Sequence, residues 1–218
     1  MNKNMKLFAG ILVFGSLWGF SECIIGSVLK DTGLPYGSII TGVFVLTFLV
    51  LSRIMYRQPG MQLGMGVVAG TLRIFNPFGG CHLCSALAIM AEGAIFEIIW
   101  YSFSFDFDNM KNITNQVSMG VITAYLVYVG GYIVTQILTP IVSGVGFYVE
   151  NLIVFLPRIL ASGLLPGLIG AFVLPGVLQL SRLDLKIKDT LYYPATFGVS
   201  AFCWIAVLSL WFVGGIKT

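Results

Sequence analysis

Histidine occurs once in this chain, and charged side chains make up only 10% of its 218 residues, where a soluble domain carries about 25%. The sequence shows no HExxH pair, no Ser/His/Asp set and no glycine-rich phosphate loop. These absences exclude the familiar hydrolase and ATPase apparatus, and the chain is expected not to be an enzyme. The net charge is only +3 and no basic patch is present, which excludes a nucleic-acid footprint. Period-2 alternation is missing too, so a membrane β-barrel is excluded.

What remains is apolar: 57% of residues are hydrophobic and the mean hydropathy is +0.94. In lipid a helix satisfies all of its own backbone hydrogen bonds, so long apolar runs without alternation predict helices. The expected fold is all-α: a polytopic membrane bundle of 6–7 transmembrane helices, forming a single domain over residues 1–218. The lipid bilayer is its first expected partner.

A transmembrane helix needs roughly 20 apolar residues. The runs predict helices at about 7–29, 35–52, 61–75, 81–103, 117–139, 157–180 and 194–216. The basic start at Lys3 and Lys6 imitates a signal peptide, but the apolar run continues past a typical signal core, so it reads as a retained first helix. The third helix offers only about 20 Å of rise, too short to cross a hydrocarbon core alone. Asn76-Pro77-Phe78-Gly79-Gly80 breaks the chain after it. Residues 141–156 fit a re-entrant stretch, an interfacial helix or a loop.

Positive charge sets orientation. Placing the N-terminus inside puts Lys3, Lys6, Arg53, Arg57, Lys111, Arg182, Lys186 and Lys188 on the cytoplasmic side. Lys30, Arg73, Arg158 and Lys217 then fall on the outer side. The expected location is the cell (inner or plasma) membrane with a cytoplasmic N-terminus.

Against this background one polar cluster stands out: Arg73, Asn76, Cys81-His82-Leu83-Cys84 and Glu92. Polar groups in hydrocarbon are costly, so they point to function. On an ideal helix Cys81 and Cys84 lie about 60° apart, and Cys81 and Glu92 about 20° apart. One face thus carries two thiols and a carboxylate, while Glu97 points about 140° away from Glu92. Three chemistries fit Cys81, His82 and Cys84. Thiolate and imidazole suit a transition metal ion such as Zn, Cu, Ni or Co. A CxxC at a helix N-terminus suits redox work. An ordinary disulfide or packed thiols fit equally. Cys23 and Cys203 read as small buried hydrophobes.

Arg73 suits a carboxylate partner or an anionic substrate group. Glu22, at the end of a long apolar run, is partnered, protonated or ligand-binding. Glu22, Arg73, Asn76 and Glu92 are the expected substrate-binding set, and Glu150 and Arg158 read as a structural pair. Small residues at Gly15, Gly19 and Gly26 form a face that packs within the bundle or docks another subunit.

Taken together, these features resemble the substrate-binding S components of energy-coupling factor (ECF) transporters. Gly15-Ser-Leu-Trp-Gly-Phe-Ser-Glu22 followed by Gly26 resembles a "G-x-L-W-G-x-x-E" opening in membrane proteins of that group. Ile89-Met-Ala-Glu92 resembles their "I-x-x-E" stretch in the fourth helix. The similarity covers about residues 7–100. The resemblance implies a membrane substrate-binding subunit of a micronutrient uptake transporter, capturing a metal ion or vitamin-like ligand. Its implied partners are a transmembrane scaffold subunit and ATPases. The seventh helix and Cys-His-Leu-Cys lie outside the family pattern, and Met1-Asn-Lys-Asn-Met5-Lys6 lacks the histidine of cobalt and nickel members. Two alternatives stay open. One is a thiol–disulfide or quinone-linked oxidoreductase using Cys81 and Cys84. The other is a structural subunit of a larger membrane complex.

Overall fold

The computed structural model describes residues 3–33, 35–78, 82–102, 110, 112–144, 146, 149–181 and 189–215. Helices α1 (Lys3–Phe20) and α2 (Gly26–Asp31) form one rod, joined by a π-helical turn at Ser21–Ile25. A second π turn, Ile40–Val45, joins α3 (Tyr36–Ile39) to α4 (Leu46–Tyr56). Then follow α5 (Met61–Ile74), α6 (His82–Ser102) and α7 (Ile113–Val142). The last three are α8 (Val149–Ser162), α9 (Leu164–Ser181) and α10 (Asp189–Gly215). No strand occurs among the described residues.

Six stretches of these residues are long and apolar enough to cross a membrane: Lys3–Leu29, Gly37–Tyr56, His82–Tyr101, Ile113–Val142, Val149–Leu180 and Leu191–Gly214. Helix α5 has only 14 residues, about 21 Å of rise, and is the short third helix. Large apolar side chains stand outward on the later helices: Phe172 is 79% exposed and Phe202 66%. In water so much apolar surface would be untenable; against lipid tails it is ordinary. The chain is an all-α, multi-pass membrane bundle.

Among the described residues, five of the expected helices run longer than their apolar cores suggested, while α5 and α6 do not. Asn112 caps α7 by accepting from the Thr114 backbone N–H at 3.0 Å, so the helix starts four residues before the expected Val117. At its other end Pro140 does not stop it. Ser143 N donates to Thr139 O at 2.9 Å, and the chain turns at Gly144, where φ is +71°. Among the described residues of the ambiguous 141–156 stretch, 141–142 end α7 and 149–156 begin α8, which takes in Pro157.

Close backbone approach builds the interior. Helix α1 packs on α5 and α10, α5 on α6, α6 on α7, and α7 on α9. Gly15 and Gly19 face α5: a Cβ at Gly15 would meet Val68 and Met65 O, and one at Gly19 would meet Leu72 and Ala69. Gly26 is buried as well. The small-residue face expected for subunit docking is thus used inside the bundle, at least through Gly15 and Gly19. Below it Trp18, Leu46, Leu49, Met61 and Met65 fill the core, with Phe96 and Trp100 stacked at 5.8 Å.

The α1–α2 rod, the α3–α4 span, α5, α6, α7, the α8–α9 span and α10 alternate in direction, so the bundle has an N-terminal end and a far end. The N-terminal end gathers Lys6, Tyr56 and Tyr192, with the Tyr192 hydroxyl donating to Lys6 O. The far end gathers Glu22, Arg73 and Pro77, the last close to Gly214 of α10.

Candidate functional site

At the far end the helices part around a cavity of about 580 Å³. That volume lies within the range of small-molecule sites. Three of the four expected substrate residues line it: Glu22, Arg73 and Glu92. Their elements place them there for identifiable reasons.

Glu22 sits in the first π turn. A π turn shifts the i→i−4 ladder by one residue, and such turns often mark functional positions. The Glu22 carbonyl accepts from Arg73 Nη1 at 2.9 Å, which ties the C-terminus of α5 to this turn. Arg73 is 9% exposed and its Nε has no hydrogen-bond partner. Thr41 sits in the second π turn and gives its hydroxyl to Glu92 Oε1 at 3.2 Å. Glu92 is 6% exposed and its Oε2 is unpartnered. Both π turns therefore supply a group at the cavity wall, and the two turns touch each other.

The rest of the wall follows helical periodicity. Helix α6 presents Ser85, Ala88, Ile89 and Glu92 at i, i+3, i+4 and i+7. Helix α7 presents Tyr128, Tyr132 and Gln136 at i, i+4 and i+8, the two rings 5.5 Å apart. Helix α8 presents Phe155, Arg158, Ile159 and Ser162 in the same rhythm. Ser38 Oγ donates to Ser162 O at 3.3 Å, bridging α3 to the α8–α9 junction. Gly131 lets α7 come close to Glu92, since a Cβ there would stand 2.8 Å from Glu92 Cγ.

The lining thus holds two carboxylates, Glu22 and Glu92, and two guanidiniums, Arg73 and Arg158, a formal sum of zero. Glu22 is close enough to feel the charge of both Arg73 and Glu92. Such a site can hold a small polar molecule through charge-assisted hydrogen bonds and aromatic contact.

Other expected residues fall elsewhere. Asn76 is buried in the turn after α5, where its Oδ1 accepts from Phe78 N at 3.5 Å; it does not line the cavity. His82 opens α6, half-buried, with Nδ1 unpartnered, and Cys84 is disulfide-bonded; neither lines the cavity. Cys81 lies outside the described residues. A disulfide-bonded Cys84 offers no thiolate to a metal, and no group of three His, Cys, Asp or Glu among the described residues is placed to hold one. Arg158 does not form the expected pair with Glu150. Eight residues apart on one helix, they are about 12 Å apart along its axis, and Arg158 lines the cavity instead.

Thr41, Tyr128, Tyr132 and Gln136 escaped the sequence reading. The i, i+4, i+8 stripe on α7 is the signal that could have found the last three. Compared with protein-family models, curated proteins and solved structures, the chain matches none.

Proposed function

We propose that this chain is a membrane substrate-binding protein, the capture subunit of an uptake system for a small polar nutrient. The carrying observation is the cavity itself. It brings two carboxylates and two guanidiniums to one space inside a bundle of otherwise apolar helices. Arg158 is exposed and Glu22 half-buried, but Glu92 and Arg73 are buried, and buried charge is costly in such surroundings, so its placement around an open volume favours ligand binding over packing. With the N-terminus inside, the cavity opens to the outside, where capture would occur. The chain has no nucleotide loop, so the energy for uptake would come from partner ATPases and a scaffold subunit. A vitamin-like ligand suits this lining better than a bare metal ion, because the cavity wall carries neither His82 nor Cys84.

Native mass spectrometry of the detergent-purified protein, unreduced and unchelated, tests this reading. The expected result is a non-covalently bound small molecule that is lost in Arg73→Met. A chain that stays bare after purification from its native membrane, and binds nothing from a cell-extract metabolite pool, would overturn it.

The disulfide at Cys84 supports a second reading, a membrane thiol–disulfide oxidoreductase. A reduction potential well above about −300 mV, in the range of exchangeable disulfides, would favour it.

A further inference from the structure

The two most deeply buried charged residues of the cavity, Glu92 and Arg73, come from different walls. Glu92 lies on the side where α6 meets α7: its Cγ faces Gly131, between Tyr128 and Tyr132 in sequence. Arg73 lies on the side of the first π turn, held there by the Glu22 carbonyl. The cavity therefore has an acidic pole at Glu92, on the wall that Tyr128 and Tyr132 also line, and a basic pole at Arg73 beside α1, where the Glu22 carboxylate feels the guanidinium's charge.

Each pole is more than nine-tenths buried and each is left incomplete. Glu92 uses Oε1 on Thr41 and keeps Oε2 without a partner. Arg73 uses Nη1 on a backbone carbonyl and keeps Nε without a partner. Buried polar groups are almost always hydrogen-bonded, and those that are not call for an explanation. Two such groups of opposite charge on one cavity point to a ligand that answers both.

Resting on the reading of this cavity as a binding site, we propose that its ligand is a zwitterion of the amino-acid type. The ligand's carboxylate meets Arg73, and its protonated amine meets Glu92 with the face of Tyr128 beside it. The guanidinium fork matches a carboxylate. An ammonium group is attracted both by a carboxylate and by an aromatic face. Apolar lining from Ile89, Phe155 and Ile159 takes the ligand's side chain. A simple anion would leave Glu92 Oε2 unanswered, and a simple amine would leave Arg73 Nε unanswered. Selectivity for the double charge follows from the cost of burying an unpaired group.

Three matched probes test this on the full chain in nanodiscs, by calorimetric titration: L-phenylalanine, 3-phenylpropanoate and 2-phenylethylamine. They share a phenyl group and differ in which charges they carry. The expected result is that L-phenylalanine binds at least about tenfold tighter than either single-charge probe. Arg73→Met then lowers L-phenylalanine to the level of the amine, and the near-isosteric Glu92→Gln lowers it to the level of the acid. Equal binding of acid and amino acid overturns the proposal in favour of an anion site. Equal binding of amine and amino acid overturns it in favour of a cation site. In both cases the cavity remains a binding site. Binding of none of the three also overturns the proposal, and the native mass spectrum then shows separately whether the cavity holds some other molecule.

Discussion

At the N-terminal end of the bundle the charged side chains that interrupt the apolar helices are answered by the protein; at the far end Arg73 and Glu92 are answered only in part. Glu97 spans the start of α5, accepting from the Gly60 N–H with one oxygen and from Leu63 N at 2.9 Å with the other. It thereby satisfies two of the N–H groups a helix start leaves open and sits favourably on the helix dipole. Arg53 lies over the Tyr101 ring at 3.6 Å from the centroid, a cation–π contact. Glu92 and Arg73 each keep one atom unpaired beside a cavity. The same residue types thus serve the fold at one end and remain available for a ligand at the other. Glu92 and Glu97 make the contrast sharpest: five residues apart on one helix, they point in different directions and do different work.

The largest effect that would sharpen this contrast is expected at Arg73. Arg73→Met removes the basic pole and should weaken ligand binding about 100-fold, equivalent to about 2.8 kcal/mol at about 1.4 kcal/mol per tenfold. Its melting temperature in detergent should fall, because the variant loses the bond to the Glu22 carbonyl and leaves Glu22 without the cation beside it. A large drop in melting temperature with unchanged binding would make Arg73 structural and erase the contrast.

Glu97→Ala is the mirror experiment. Losing a carboxylate that bonds two helix-start N–H groups should destabilise the fold by about 2 kcal/mol. The measurement is the thermal midpoint of detergent-solubilised protein, with ligand affinity measured on the fraction that stays folded. Affinity should not change. If it falls as steeply as in Arg73→Met, the two ends are coupled and the division fails.

The sequence disclosed one half of this contrast more readily than the other. Glu22, Arg73 and Glu92 were legible because a charge inside an apolar run has few innocent explanations in lipid. The helices were legible for the same reason, since the length of an apolar run is a physical requirement of the bilayer. Their ends were less so, because caps such as Asn112 extend a helix into polar sequence. The two π turns leave no sequence sign, yet they carry Glu22 and Thr41 to the cavity. Thr41 and the tyrosines belong to residue types that usually pack or satisfy themselves, so type alone did not mark them. Cys-His-Leu-Cys drew attention through scarcity, but scarcity says nothing about placement: His82 and Cys84 stand away from the cavity wall. Gly15 and Gly19 showed a close helix approach, and only the fold shows that the approaching helix is α5.

A smaller change tests the geometry of the acidic pole without touching a charged group. Gly131→Ala places a methyl 2.8 Å from Glu92 Cγ. The methyl also stands 3.3 Å from the Ala88 carbonyl oxygen, so Glu92 must change its rotamer and α7 must give slightly; the fold should survive with a lower melting temperature. The displaced carboxylate should weaken ligand binding about tenfold, or about 1.4 kcal/mol. Wild-type affinity in Gly131→Ala would mean that the position of Glu92 is unimportant, which would leave the acidic pole without a role.

The smallest expected effect lies back at the N-terminal end, where the Tyr56 and Tyr192 hydroxyls bond each other and Tyr192 donates to Lys6 O at 3.3 Å. The contact pins α1, α4 and α10 together. Tyr192→Phe removes one partner and leaves the buried Tyr56 hydroxyl without its bond, which should cost about 1 kcal/mol of stability. If the pair is purely structural, removing the second hydroxyl should return part of that loss, since replacing both partners by apolar groups is nearly neutral. Tyr56→Phe/Tyr192→Phe should therefore melt at or above the Tyr192→Phe midpoint, with a coupling energy of about 0.5–1 kcal/mol in the double-mutant cycle. Ligand affinity should match the wild type in all three variants. Strict additivity of the two losses would show that the hydroxyls act separately. A change in affinity would show that the polar groups at this end also serve the ligand, and that the two ends differ in degree rather than in kind.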